Sequence, residues 1–143
     1  MDVQLVIAGA GEESLGSLPQ NVLAVSYAPQ IELLQKASLT LTHGGLNTVL
    51  DSLACGVPML VIPITYEQPA IAQRVRWVGA GEVIPFSGVS SPLVQTRIEK
   101  VLGDRAYSSQ AKRMAESIRA AGGVQRAGDL IEKAARDETE TAP

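Results

Sequence analysis

The order of apolar and polar positions divides the chain into short β-type runs that alternate with helical ones. Val3 to Ala8 is an apolar, β-rich run closed by Gly9-Ala10-Gly11, and Asn21 to Val25 is a second, after a loop rich in Gly, Ser and Pro. Between Pro29 and Lys36, Ile31, Leu33 and Leu34 sit among polar residues, which predicts a short helix leading into a strand from Ser38 to Thr42. In the following stretch, Leu46 to Cys55, the residues Leu46, Val49, Leu50, Leu53 and Ala54 recur at helical spacing and are expected to bury one side of a helix. Met59 to Ile62 is continuously apolar and bounded by prolines, the pattern of a strand covered on both faces in a parallel sheet. Gln68 to Val78 reads as a helix and Gly81 to Pro85 as a short last strand. From Pro92 onward the pattern is helical, broken near Gly103 and at Gly122-Gly123. Val124, Ala127, Leu130, Ile131 and Ala134 share one face of the last helix, and the charged, unpatterned residues 137–143 are expected to fray. Strands alternating with helices predict an α/β fold with a mostly parallel sheet flanked by helices.

Composition narrows the class. A chain of 143 residues can bury one core, so residues 1–136 are read as one domain. With 45% hydrophobic and 19% charged residues the chain is globular in type. Its net charge of −3 gives no reason to expect a nucleic-acid partner, and 3% aromatic residues make a poor base-stacking platform. Cys55 has no second cysteine to pair with and reads as a buried spectator in a reducing compartment. The start of the sequence lacks the basic region of a secretory signal, and no apolar run nears the roughly 18 residues of a spanning helix. The expected location is the cytoplasm.

The chemistry concentrates where the run Leu39 to Thr42 stops at His43-Gly44-Gly45 and a helix begins. In open parallel sheets ligands bind beyond the carboxyl ends of strands. Two glycines let the backbone approach a ligand, and the first amides of a helix, with its dipole, favour an anion. At about 100° per residue, Asn47, Thr48 and Asp51 fall in one arc of the helix. Asn47 and Thr48 can donate to phosphate oxygens. Asp51 would repel them and suits neutral hydroxyls such as those of a ribose, so the strip fits a nucleotide with its phosphates at the turn. From these residues alone, a common strand-to-helix turn with a solvated helix face explains the pattern equally well. One histidine and one distant cysteine do not make a zinc site, and neither Gly9-Ala10-Gly11 nor Gly79-Ala80-Gly81 meets the requirements of a dinucleotide fingerprint. Arg74 and Arg76 read as a solvated helix face.

A wider run resolves the choice. SYAPQIELLQKASLTLTHGGLNTVLDSLACGVPMLVIPITYEQ, from Ser26 to Gln68, resembles the donor-binding signature of the UDP-glycosyltransferase family, matching it at Pro29-Gln30, His43, Gly45, Asn47, Gly56-Val57-Pro58, Pro63 and Gln68. Leu46 and the ending from Ala121 to Glu132 look most like carotenoid (zeaxanthin) glucosyltransferases or macrolide-type relatives. The resemblance implies a Rossmann-like C-terminal lobe of the GT-B fold, lacking its first strand-helix unit. It implies that Tyr27 stacks on the uracil, that Ala28 meets the base through its backbone and that Gln30 lies near base and ribose. Asp51 would bind the ribose hydroxyls, His43, Asn47 and Thr48 would hold the diphosphate, Glu67 and Gln68 would contact the sugar hydroxyls, and Gly45 belongs to the same donor-binding set. Glu67 stands where the family usually has Asp, and Tyr27 where many members have Trp.

The implied function is the donor-binding half of an inverting glycosyltransferase that moves a hexose, read as glucose, from a UDP-sugar to a hydroxyl of a lipophilic small molecule. No catalytic residue, metal or cofactor is expected in this chain; the family's general base and acceptor site lie in an N-terminal lobe, so the chain alone is expected to be inactive. It would be an excised piece or one subunit of a split enzyme, peripheral to a membrane only through that other lobe. A non-catalytic nucleotide-sugar-binding subunit and a nucleotide-sugar epimerase lobe are the alternatives. An exposed sheet edge would invite self-association.

Overall fold

Each β-type run of the sequence forms a strand, and every strand pairing among the described residues is parallel. The computed structural model describes residues 3–10 and 12–140, and the chain divides into two units, residues 1–36 and 37–143. Gly11, in the turn expected after the first strand, and residues 141–143 of the tail lie outside the described residues.

In the first unit β1 (Leu5–Ala8) pairs with β2 (Val22–Val25), Leu5 beside Val22 and Ala8 beside Val25. The loop between them contains a short helix, α1 (Glu12–Leu15), that the Gly/Ser/Pro composition hides. After β2 comes α2 (Gln30–Leu34), entered through Pro29, whose fixed φ suits a helix start. Ala24 and Leu34 are buried here.

The second unit holds three strands in the order β3 (Thr40–Thr42), β4 (Met59–Val61) and β5 (Gly81–Val83). Met59, Leu60 and Val61 are all 0% exposed, as expected for a central strand covered on both faces. Between the strands run α3 (Leu46–Ala54) and α4 (Gln68–Trp77); after a 3₁₀ turn at Phe86–Gly88 come α5 (Ser91–Gly103), α6 (Arg105–Ala120) and α7 (Gly123–Glu140). The core joins Val49 and Leu53 of α3 to Met59, Val61, Ala72, Val75, Ala80 and Ala111. The α5–α6 break is capped by Asp104, whose carboxylate accepts from the Ala106 amide at 2.9 Å. Helix α7 continues through residues 137–140 of the unpatterned tail. No helix among the described residues is long and apolar enough to cross a membrane.

Two expectations about α3 are corrected. Its buried residues are Val49, Ser52 and Leu53, whereas Leu46, Leu50 and Ala54 are exposed. Ser52 can face inward because it is small and its hydroxyl is satisfied, donating to the Thr48 carbonyl at 2.7 Å and lying 3.2 Å from Thr40 Oγ1. Apolar spacing alone places Leu46 and Leu50 in the core because it takes every leucine as buried and every hydroxyl as exposed. Cys55 is half-buried at the C-cap of α3, rather than buried within the helix.

One polar cluster ties strand to helices. Glu82 on β5, 8% exposed, accepts from Lys100 Nζ at 2.6 Å, from Arg97 Nη1 at 3.0 Å and from the Tyr107 hydroxyl. Burial pushes its carboxyl up, but hydrogen bonds from Lys100 and Tyr107 and the charges of Lys100 and Arg97 outweigh this and hold it below the ordinary glutamate value. The bond to Glu82 raises Lys100 in turn, while burial and the Glu82 bond raise Tyr107.

Candidate functional site

The turn from β3 into α3 is shaped by two glycines that no other residue could replace without movement. Gly44 has φ +90°, and a Cβ there would lie 2.9 Å from Val61 Cγ1 and 3.5 Å from the Gln68 carbonyl oxygen. Gly45, the N-cap of α3, has no such dihedral, but a Cβ on it would meet His43 Nε2 at 2.8 Å. The imidazole therefore lies against the Gly45 backbone, and the Gly44 backbone nests against β4 and the start of α4. Thr42, buried at the end of β3, accepts from the Gly44 amide through its hydroxyl at 3.2 Å.

The first intrahelical bond of α3 runs from the Val49 amide to the Gly45 carbonyl at 3.1 Å, and Gly45 offers no side-chain acceptor to the amides before it. Beyond this helix start lies an open cavity of about 380 Å³ lined by His43, Gly45, Leu46, Asn47, Thr48 and Glu67. It sits beyond the carboxyl ends of β3 and β4, where such sheets place ligands. Its lining brings together a helix N-terminus, an imidazole, an amide, a hydroxyl and one carboxylate, groups able to donate to an anion and to accept from a hydroxyl.

Of the residues singled out in the sequence, His43, Gly45, Asn47, Thr48 and Glu67 meet at this cavity. Asp51 is half-buried one turn farther along α3, and Gln68 is half-buried at the first position of α4. Tyr27, Ala28 and Gln30 belong to the first unit, where Tyr27 is 82% exposed, Ala28 half-buried and Gln30 the first residue of α2. Arg74 stays outside the cavity lining and stacks over Trp77, 5.0 Å from the ring centroid. Among the described residues no three His, Cys, Asp or Glu side chains gather as a metal site would require.

Three features escaped the sequence. Leu46, apolar and at core spacing, lines the cavity. Tyr66 is the one non-glycine among the described residues with positive φ, +54°, a conformation costing about 1–2 kcal/mol, and it directly precedes Glu67. Gln68 turns its side chain back onto its own loop: Oε1 accepts from the amides of Ile64 at 2.9 Å and Thr65 at 3.1 Å. Only the order Gly-Gly and Glu-Gln was readable; a side chain's return to the backbone leaves no periodic trace.

The chain matches known proteins over most of its length. The family described as erythromycin biosynthesis protein CIII-like, C-terminal domain, matches residues 1–126. The uncharacterized UDP-glucosyltransferase YojK of Bacillus subtilis (strain 168) is 38% identical over 128 residues, 90% of this chain and 32% of its own length. The zeaxanthin glucosyltransferase of Pseudescherichia vulneris is 37% identical over 110 residues, 77% of this chain and 26% of its own. Among solved structures, the glycotransferase of kitacinnamycin superposes with a TM-score of 0.83 at 32% identity, covering 91% of this chain and 34% of its own. The chain thus spans about a third of the length of the relatives it matches. Parallel strands, a glycine turn at the mouth of the sheet and a match over most of the sequence lead to one assignment: the chain belongs to the erythromycin biosynthesis protein CIII-like C-terminal domain family, the C-terminal lobe of GT-B glycosyltransferases.

Proposed function

We propose that the chain is the donor-binding half of an inverting glycosyltransferase that moves glucose from a UDP-sugar to a hydroxyl of a lipophilic small molecule such as a carotenoid. The observation that carries this reading is the cavity at the start of α3, whose lining includes His43, Asn47, Thr48 and Glu67. Names of relatives motivate the finer choices: one is called a UDP-glucosyltransferase and another a zeaxanthin glucosyltransferase.

In this reading the diphosphate lies at the helix start, Asp51 accepts from the ribose hydroxyls, and Glu67 and Gln68 meet the sugar. Tyr27 stacks on the uracil, with Ala28 and Gln30 beside base and ribose. The acceptor oxygen attacks the anomeric carbon from the face opposite the diphosphate. The bond from that carbon to the β-phosphate oxygen breaks, and its electron pair leaves with UDP. Amides and side chains fixed before the reaction stabilise the charge that develops there. The base that takes the acceptor's proton is assigned to the part of the enzyme this chain does not span.

Calorimetric or NMR titration of the chain with UDP, UDP-glucose, dTDP and GDP tests the reading, alongside His43→Ala and Asp51→Ala. Saturable UDP binding that both substitutions weaken is the expected result. A folded chain that binds none of the four would overturn it, and preference for dTDP would replace the uracil assignment.

A further inference from the structure

The cavity wall contributed by the β4–α4 loop is held by a side chain that the proposed function would use only as a ligand contact. Gln68 Oε1 accepts from two consecutive backbone amides, Ile64 at 2.9 Å and Thr65 at 3.1 Å. Two N–H donors can be met only by the carbonyl end of a carboxamide, so the orientation of this amide is dictated by chemistry. The backbone of Gln68 closes the same loop, its amide donating to the Thr65 carbonyl at 3.2 Å. Inside the loop lie Tyr66, with φ +54°, and Glu67, which lines the cavity. On its other side Gln68 is the residue against which the Gly44 backbone nests, since a Cβ on Gly44 would lie 3.7 Å from Gln68 Cβ.

We propose that Gln68 is a positioning residue: its carboxamide oxygen locks the loop that carries Glu67 into the cavity wall, which leaves only its NH₂ group to meet a ligand. The inference extends the donor-site reading. Glu67 then serves the sugar as the acceptor and Gln68 as the donor, and the two roles cannot be exchanged. The left-handed conformation of Tyr66 is kept by the same lock, because a loop released from both bonds has no reason to hold it.

Amide hydrogen exchange and titration with UDP and UDP-glucose separate the parts. In Gln68→Ala the Ile64 and Thr65 amides should exchange about tenfold faster, and UDP-glucose affinity should fall about tenfold, the scale of one net hydrogen bond, while UDP affinity holds. In Gln68→Glu the carboxylate can accept both amides, so protection should return. It offers no donor to the sugar, so the UDP-glucose loss should persist. Unchanged exchange at Ile64 and Thr65 in Gln68→Ala would overturn the lock, and full recovery of UDP-glucose affinity in Gln68→Glu would overturn the donor role. If the unaltered chain bound no nucleotide, the donor-site reading would fail while the exchange measurement still decided the lock.

Discussion

Asp51 and Gly44 separate what a residue does for a ligand from what it does for the fold. Asp51 is half-buried on α3, outside the core that Val49 and Leu53 join. Asp51→Ala should lower UDP affinity about tenfold or more in titration, a larger loss than the stability it costs in urea denaturation. Equal losses of both would count against a ribose contact. Gly44 should behave in the opposite way. Its φ of +90° and the 2.9 Å approach to Val61 Cγ1 make Gly44→Ala destabilising by about 2 kcal/mol, measured in the same denaturation series. Both glycines were legible as a turn in the sequence, but only the packing shows that Gly44 is forced by β4, whereas at Gly45 a side chain would meet only the His43 ring.

The element scale belongs to β5, α5 and α6, which meet at Glu82. A carboxyl whose folded pKa lies below its unfolded value stabilises the fold only while ionised. That contribution is complete above the ordinary glutamate value and is lost as pH falls through the folded one. Lys100 works in the other direction, its raised pKa contributing below the ordinary lysine value and failing as pH rises through the folded one. Glu82→Gln should flatten the acid limb of the stability profile and cost about 2 kcal/mol at neutral pH, followed by thermal denaturation across pH. An unchanged acid limb would show that other carboxyls govern it. Nothing in the sequence marks this cluster beyond one acid inside a short strand, because Glu82, Arg97, Lys100 and Tyr107 come together only when α5 and α6 fold back on β5.

For the whole molecule, the main unspent feature is the apolar side of α7. Val124 is 91% exposed, Ile131 70% and Leu130 57%, although the sequence groups them on one helical face. Ile131→Lys should accordingly leave the thermal stability of this chain within about 0.5 kcal/mol of the unaltered one, since an exposed side chain loses little on substitution. A larger loss would mean that this face is covered in solution. Exposed apolar side chains also occur in each unit, Leu23 at 50% in the first and Leu50 at 46% in the second.

The sequence by itself determined the order of strands and helices apart from α1, the parallel character of the sheets and the location of the turn at His43. These follow from local periodicity, from glycine and proline punctuation, and from the need of a doubly covered strand such as Met59 to Val61 to be apolar throughout. Tertiary structure alone decided which side of α3 is buried, because a satisfied serine hydroxyl can replace a leucine against the sheet. It alone decided that Gln68 turns its oxygen onto the β4–α4 loop and that Glu82 gathers two cations and a phenol. Such choices depend on which polar groups find partners across the fold, and periodicity carries no information about them.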